Sequence, residues 1–96
     1  MVTKELLEKL RALKPHIKKR YKAKQIELFG SSVRGDQTDS SDIDVLVDFE
    51  EGADLFDLTG MAIFLEEQFQ RRVDVVPKRA LREELRESIL MEAITV

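Results

Sequence analysis

The chain has 96 residues, no cysteine, 36% charged residues and a formal net charge of −3, a length expected to form one domain (1–96) around one core. The missing cysteines exclude a disulfide framework and a thiolate metal site. No apolar run approaches the roughly 20 residues of a membrane-spanning helix, and the first residues lack a secretory apolar region, so the expected location is the cytoplasm, with no membrane contact. Charge is unevenly spread: residues 1–24 carry +7, residues 25–68 carry −11 and residues 69–96 carry +1. A nucleic-acid groove across the acidic middle is therefore disfavoured, because phosphate binding there requires Lys and Arg or a metal.

Thr3 is placed to cap a first helix whose apolar positions Leu6, Leu7, Leu10 and Leu13 follow helical spacing, with Glu5 and Glu8 early and Lys14 late. Pro15 is expected to interrupt or kink it, and Ile17 and Tyr21 to continue a second helical piece. The basic charges of this stretch read as a solvated helix face rather than an RNA-binding surface. Gln25 to Phe29 reads as a first strand with Ile26 and Leu28 on one face, and Gly30 ends it. Residues 31–41 are turn-rich, with Asp36, Asp39, Ser40 and Ser41 as local caps and Gly35 suited to a positive φ.

The second strand is expected over Asp42 to Phe49. Asp54 then caps a helix with Leu55, Leu58, Ala62, Leu65 and Phe69 as its apolar stripe. A third strand over Arg72 to Val76 stops at Pro77. A last helix from about Arg79 carries Leu81, Leu85, Ile89 and Ala93 inward, and Ala93 to Val96 ends as a short extended tail. The order α-β-β-α-β-α predicts a small α/β (α+β) sandwich in which helices cover a mixed sheet.

The chemistry lies in Asp42-Ile43-Asp44. Side chains on a strand alternate with period two, so Asp42 and Asp44 point the same way, and Asp74 recurs inside the apolar run Val73 to Val76. Three carboxylates on a sheet are costly unless a cation neutralises them. Magnesium suits such oxygen donors, keeping waters and taking its remaining ligands from substrate phosphates. Two ions roughly 3.5–4 Å apart would stabilise both the attacking and leaving oxygens of an in-line displacement. In that reading Asp42 and Asp44 are the shared ligands, and Asp74 completes the ion on the nucleophile side and accepts or orients the incoming hydroxyl's proton. The plainer alternative has Asp42 at the strand entry and Asp44 and Asp74 on a solvated face.

Gly30-Ser31 shifts the balance. A glycine closing a strand lets backbone approach a phosphate, and the following amides with the Ser31 hydroxyl can donate to its oxygens. Arg34 is the only base between residues 25 and 68, and pairs with a phosphate, with an acid of the site, or in a structural salt bridge. The lone His16 has no partner at ligand spacing and reads as a surface or packing residue. Phe56, Phe64 and Phe69 read as core or partner-facing. Tyr21 as an acceptor in self-modification is a weaker candidate, and no Gly-Lys-Ser/Thr run marks a Walker-type loop.

Gly30-Ser31, Arg34-Gly35 and Ser41-Asp42-Ile43-Asp44, followed by Asp74 on a later strand, together resemble the minimal nucleotidyltransferases (MNT) of the DNA polymerase β-like superfamily. The resemblance spans nearly the whole chain, including the basic first helix and the Val73 to Lys78 run. It implies a polymerase β-like palm fold and Mg2+-dependent transfer of a nucleoside monophosphate, AMP from ATP by family habit, with release of pyrophosphate. Gly30, Ser31 and Arg34 then match the nucleotide-binding turn, and Asp42, Asp44 and Asp74 the catalytic acids that ligate two Mg2+ ions. Family members of this size are typically paired with a HEPN-domain toxin, whose tyrosine they adenylylate as antitoxins. Two alternatives stand beside this: a non-catalytic nucleotide- and metal-binding antitoxin that occludes its partner, and transfer to RNA or a small molecule. A chain this short has little with which to grip an acceptor, so a docked partner or a second copy in a homo-oligomer is expected to complete the site.

Overall fold

A computed structural model describes residues 3–34 and 41–96. Within them the order is α1 (Thr3–Tyr21), β1 (Ala23–Phe29), α2 (Ser31–Arg34), β2 (Ile43–Phe49), α3 (Leu55–Phe69), β3 (Val73–Pro77), a 3-10 turn (Lys78–Ala80), α4 (Glu83–Glu92) and β4 (Ile94–Thr95). The strands form one mixed sheet in the order β3-β2-β1-β4. β1 runs antiparallel to both β2 and β4, whereas β2 and β3 are parallel and are joined through α3, as a parallel pair requires a crossover.

The α/β class and the mixed sheet are as expected. Alternation explains how the sheet is oriented. Ile26 and Leu28 of β1, Ile43, Val45 and Val47 of β2, and Val73 of β3 are buried with Leu6, Leu10 and Ile17 of α1 and Met61, Leu65 and Phe69 of α3. These helices therefore cover one face. Period two sends Glu27, Asp44, Leu46, Asp48 and Asp74 to the other face.

Three local expectations for α1 and α3 are corrected. α1 continues through Pro15 to Tyr21. Pro15 and Arg11 are both exposed, so the Arg11 carbonyl that loses its helical partner can turn to water, and burial of Ile17 outweighs the proline penalty of about 3 kcal/mol. Thr3 lies inside the helix, and its hydroxyl donates to the Ser32 carbonyl, tying α1 to α2. In α3 the buried stripe is Met61, Leu65 and Phe69, while Leu55 in the first turn is 73% exposed. The Asp54 cap is present as a reciprocal capping box with Asp57.

The last helix begins at Glu83, after the 3-10 turn and extended Leu81 and Arg82. None of its residues is buried, and Leu85 stands 48% exposed. Instead the tail is anchored: β4 pairs with β1, Val96 is buried, its amide donates to the Ile26 carbonyl (2.9 Å), and its carbonyl accepts from Lys14 Nζ (2.9 Å). β3 takes in Pro77, which an edge strand tolerates because no ladder bond is lost on its outer side.

Candidate active site

The parallel register sets Asp44 of β2 beside Asp74 of β3, and the antiparallel register sets Phe29 of β1 on its other side. Asp44 and Asp74 thus occupy adjacent strands at one level of the face opposite α1 and α3, about 4.8 Å apart along the hydrogen-bonding direction. Asp42 sits one residue before β2, and its carboxylate lies 4.0 Å from Arg72 Nε. The approach to β2 is clamped: Arg71 donates through Nε (3.2 Å) and Nη2 (2.6 Å) to the Ser41 carbonyl, and the Ile43 amide donates to the Arg72 carbonyl (2.9 Å).

Asp44 feels the other two carboxylates. Asp44 is pushed up from its ordinary value to about 6, first by burial and then by the charges of Asp74 and Asp42. Arg34 opposes the shift and Glu92 adds to it. Neutralising such a group without protonating it takes a cation.

Gly30 connects this row to the turn. Its φ is +71°, and a Cβ at this position would collide with the Asp44 carboxylate, so backbone conformation and close approach both require glycine. Its carbonyl accepts from the amides of Val33 (3.0 Å) and Arg34 (3.2 Å), starting α2 directly after the strand. Ser31 opens α2. Ser32 is fully buried, and among the described residues its hydroxyl has no hydrogen-bond partner. Arg34 Nη1 stands 3.5 Å from Glu92 Oε1, and the same oxygen accepts from the Gly30 amide at 3.1 Å. Gly35 and residues 36–40 lie outside the described residues.

Gly30, Arg34, Asp42, Asp44 and Asp74 are therefore brought to one end of the sheet, with Ser31 next in the turn. Two further features escaped sequence reasoning. Glu92 joins the site across 62 residues, with no spacing signal to connect it. Glu27, on the same sheet face, is nearly buried and pairs with Lys78 Nζ at 3.2 Å. His16, by contrast, is exposed at the edge of a ring cluster, its centroid 4.8 Å from Phe64 and 6.1 Å from Tyr21, consistent with packing. Tyr21 stacks beside Gly60 of α3, on the helical side of the molecule.

Among the described residues no three acids close on a common metal-binding point. The donor set nevertheless fits magnesium, which is commonly held by one or two carboxylates while waters and substrate phosphates supply the rest. Nor is any described helix long and apolar enough to cross a membrane.

Comparison with known proteins agrees with this fold. Residues 6–96 match the nucleotidyltransferase domain family. The protein adenylyltransferase MntA of Thermococcus cleftensis is 37% identical over 97 residues, covering 100% of this chain and 98% of the relative. A Methanocaldococcus jannaschii protein assigned as a protein adenylyltransferase is 38% identical over 77 residues, covering 80% of this chain and 79% of its own. A solved structure assigned as a minimal nucleotidyltransferase superposes with a TM-score of 0.86 at 38% identity, over 100% of this chain and 97% of that one. A toxin-antitoxin structure with AMP-PNP superposes with a TM-score of 0.69 at 25% identity, over 99% of this chain and 72% of that one. The chain belongs to the nucleotidyltransferase domain family, in its minimal form, and is an enzyme of that class.

Proposed function

We propose that this enzyme transfers AMP from ATP to a hydroxyl of a protein partner, a tyrosine of a HEPN-domain toxin, and thereby acts as its cytoplasmic antitoxin. The observation that carries the reading is the row of Asp44 and Asp74, set by strand register on the face opposite α1 and α3, next to Gly30. Relatives named as protein adenylyltransferases and a neighbour titled as a toxin-antitoxin with AMP-PNP support the substrate and partner classes.

In this reading Gly30, Ser31 and Arg34 receive the triphosphate, and Asp42, Asp44 and Asp74 hold two Mg2+ ions. When bound, Mg2+ supplies charge neutralisation for the phosphates and the developing pyrophosphate. Asp74, exposed on the edge strand, accepts or orients the proton of the incoming hydroxyl. The hydroxyl oxygen forms a bond to the α-phosphorus as the bond from that phosphorus to the bridging α–β oxygen breaks, releasing pyrophosphate. Arg34 compensates negative charge at the phosphate end, and the Gly30 turn lets backbone amides approach where a side chain would strike Asp44.

Incubation with α-labelled ATP, magnesium and the helical protein encoded by the adjacent gene is expected to label that partner. Asp44→Ala is expected to abolish the labelling, and equal labelling by the variant refutes the assigned chemistry. A second reading, neutralisation by occlusion, is favoured by the exposure of Leu55 (73%) and Phe56 (86%) on α3, apolar surface suited to a protein contact. It requires Asp42→Ala and Asp44→Ala to protect against the toxin while Phe56→Glu does not.

A further inference from the structure

Glu92 occupies a place that the register of the sheet prepares. β1 pairs Glu27 with Thr95 and Leu28 with Ile94, and continuing that antiparallel register by two residues sets Glu92 opposite Gly30. The ladder ends at Ile94, and the Glu92 side chain takes over, its Oε1 accepting the Gly30 amide at 3.1 Å and lying 3.5 Å from Arg34 Nη1. One carboxylate oxygen thus bridges a glycine amide and a guanidinium, two donors well suited to a phosphate oxygen.

We propose that Glu92 is an internal competitor for the triphosphate: its carboxylate holds Gly30 and Arg34 in the nucleotide-free enzyme and is displaced when the phosphates bind. This rests on the reading of Gly30 and Arg34 as triphosphate ligands. Charge dictates displacement rather than sharing. Glu92 already adds repulsion at Asp44, and a polyanion on the same two donors would meet its negative charge at contact distance. The fold makes displacement easy, because Glu92 ends a helix with no buried residue, and Met91 beside it is 81% exposed. The carboxylate can swing away while β4 and the buried Val96 stay in place.

The test is calorimetric titration of the intact chain with ATP, and separately with inorganic tripolyphosphate, in the presence of magnesium, for the wild type, Glu92→Gln and Glu92→Asp. A competitor predicts that Glu92→Gln binds both ligands about three- to tenfold tighter, that Glu92→Asp, with its carboxylate withdrawn by one methylene, falls between, and that adenosine binding is unchanged. A residue that merely shapes the turn predicts weaker binding by both variants. Equal or weaker binding of tripolyphosphate by Glu92→Gln, or by Glu92→Asp where the glutamine variant does not fold, overturns the inference and leaves the site assignment standing. Failure of wild type and variants alike to bind either ligand overturns both.

Discussion

Replacing Asp44 by Asn is expected to stabilise the free protein while destroying its chemistry. The carboxyl is shifted from 3.8 to about 6, chiefly by burial and then by Asp74 and Asp42. At 1.36 kcal/mol per unit this sets a ceiling of about 3 kcal/mol for the penalty of holding Asp44 ionised. Water reaches part of the side chain and screens it, so about 1–2 kcal/mol is the expected gain. Each kcal/mol corresponds to about 4–8 °C in Tm for a chain of this length. Asp44 has a raised native pKa, so the native state keeps its proton to higher pH than the unfolded chain. The penalty is absent below about pH 4 and complete above about pH 6, and wild-type stability falls as pH rises through that window. Urea unfolding of both proteins from about pH 3 to pH 8 reads the difference directly: the curves should meet in acid and separate, Asn above Asp, towards neutrality. Added magnesium should raise the wild type and leave the variant unmoved. A variant less stable than the wild type at about pH 8, or a difference that does not change with pH, refutes the account of Asp44 as a carboxylate held against its electrostatic preference.

Gly30→Ala combines a positive φ with a collision against Asp44, so thermal unfolding should show a loss of about 1–3 kcal/mol and calorimetry a loss of nucleotide binding; a variant that binds ATP normally contradicts the close approach. Pro15→Ala restores a helical amide within α1 and should raise stability, up to the proline penalty of about 3 kcal/mol, measured by denaturant midpoint. Met61→Ala empties a fully buried position whereas Leu55→Ala touches an exposed one, so the first should cost about 2–5 kcal/mol and the second under about 0.5. Lys78→Met leaves the nearly buried Glu27 without its cation, and chemical unfolding at neutral pH should show a loss of about 1–3 kcal/mol, recovered in part by adding Glu27→Gln.

The elements written most plainly in the residues were those in which several local signals agreed. Ile43 to Val47 alternates around two acids, Gly30 and Pro77 punctuate two strands, and Asp54 with Asp57 builds a helix start from side chains three apart. There the period-two pattern alone placed Asp44 and Asp74 opposite the apolar face. Failures came where distant packing overrode local preference. Pro15 argued for a break or a kink, and the break does not occur: Ile17 is pulled into the core with Leu6 and Leu10, and the helix continues to Tyr21. Leu81, Leu85 and Ile89 carry helical spacing, yet Leu81 lies before α4 and no residue of that helix is buried, because periodicity states which side would be inward and not whether anything covers it. Glu92 was beyond reach for a different reason. Its role depends on the register of a two-residue strand against β1, and a pairing that short leaves almost no pattern of its own.

The placement of the acids is inseparable from the core. A slip of one residue in β2 would turn Ile43, Val45 and Val47 out of the core and Asp44 into it. The burial of these three apolar side chains, each at 0% exposure, therefore also orients the site. That coupling lets a chain of 96 residues sustain clustered carboxylates that work against its stability. α1 and α3 supply most of the burial on one face, and the other face carries the acids and the glycine turn beside the buried Leu46. A nucleotide with its cations relieves the repulsion at Asp44, and in the proposed reading it also frees Glu92 from Gly30 and Arg34. Binding and relief are then the same event, so the free enzyme is expected to be least stable at the pH where it binds Mg2+ and ATP best. In the proposed reading the acceptor approaches Asp44 and Asp74 on the face opposite α1 and α3, and the docked partner is the means by which water is excluded from the reacting phosphate.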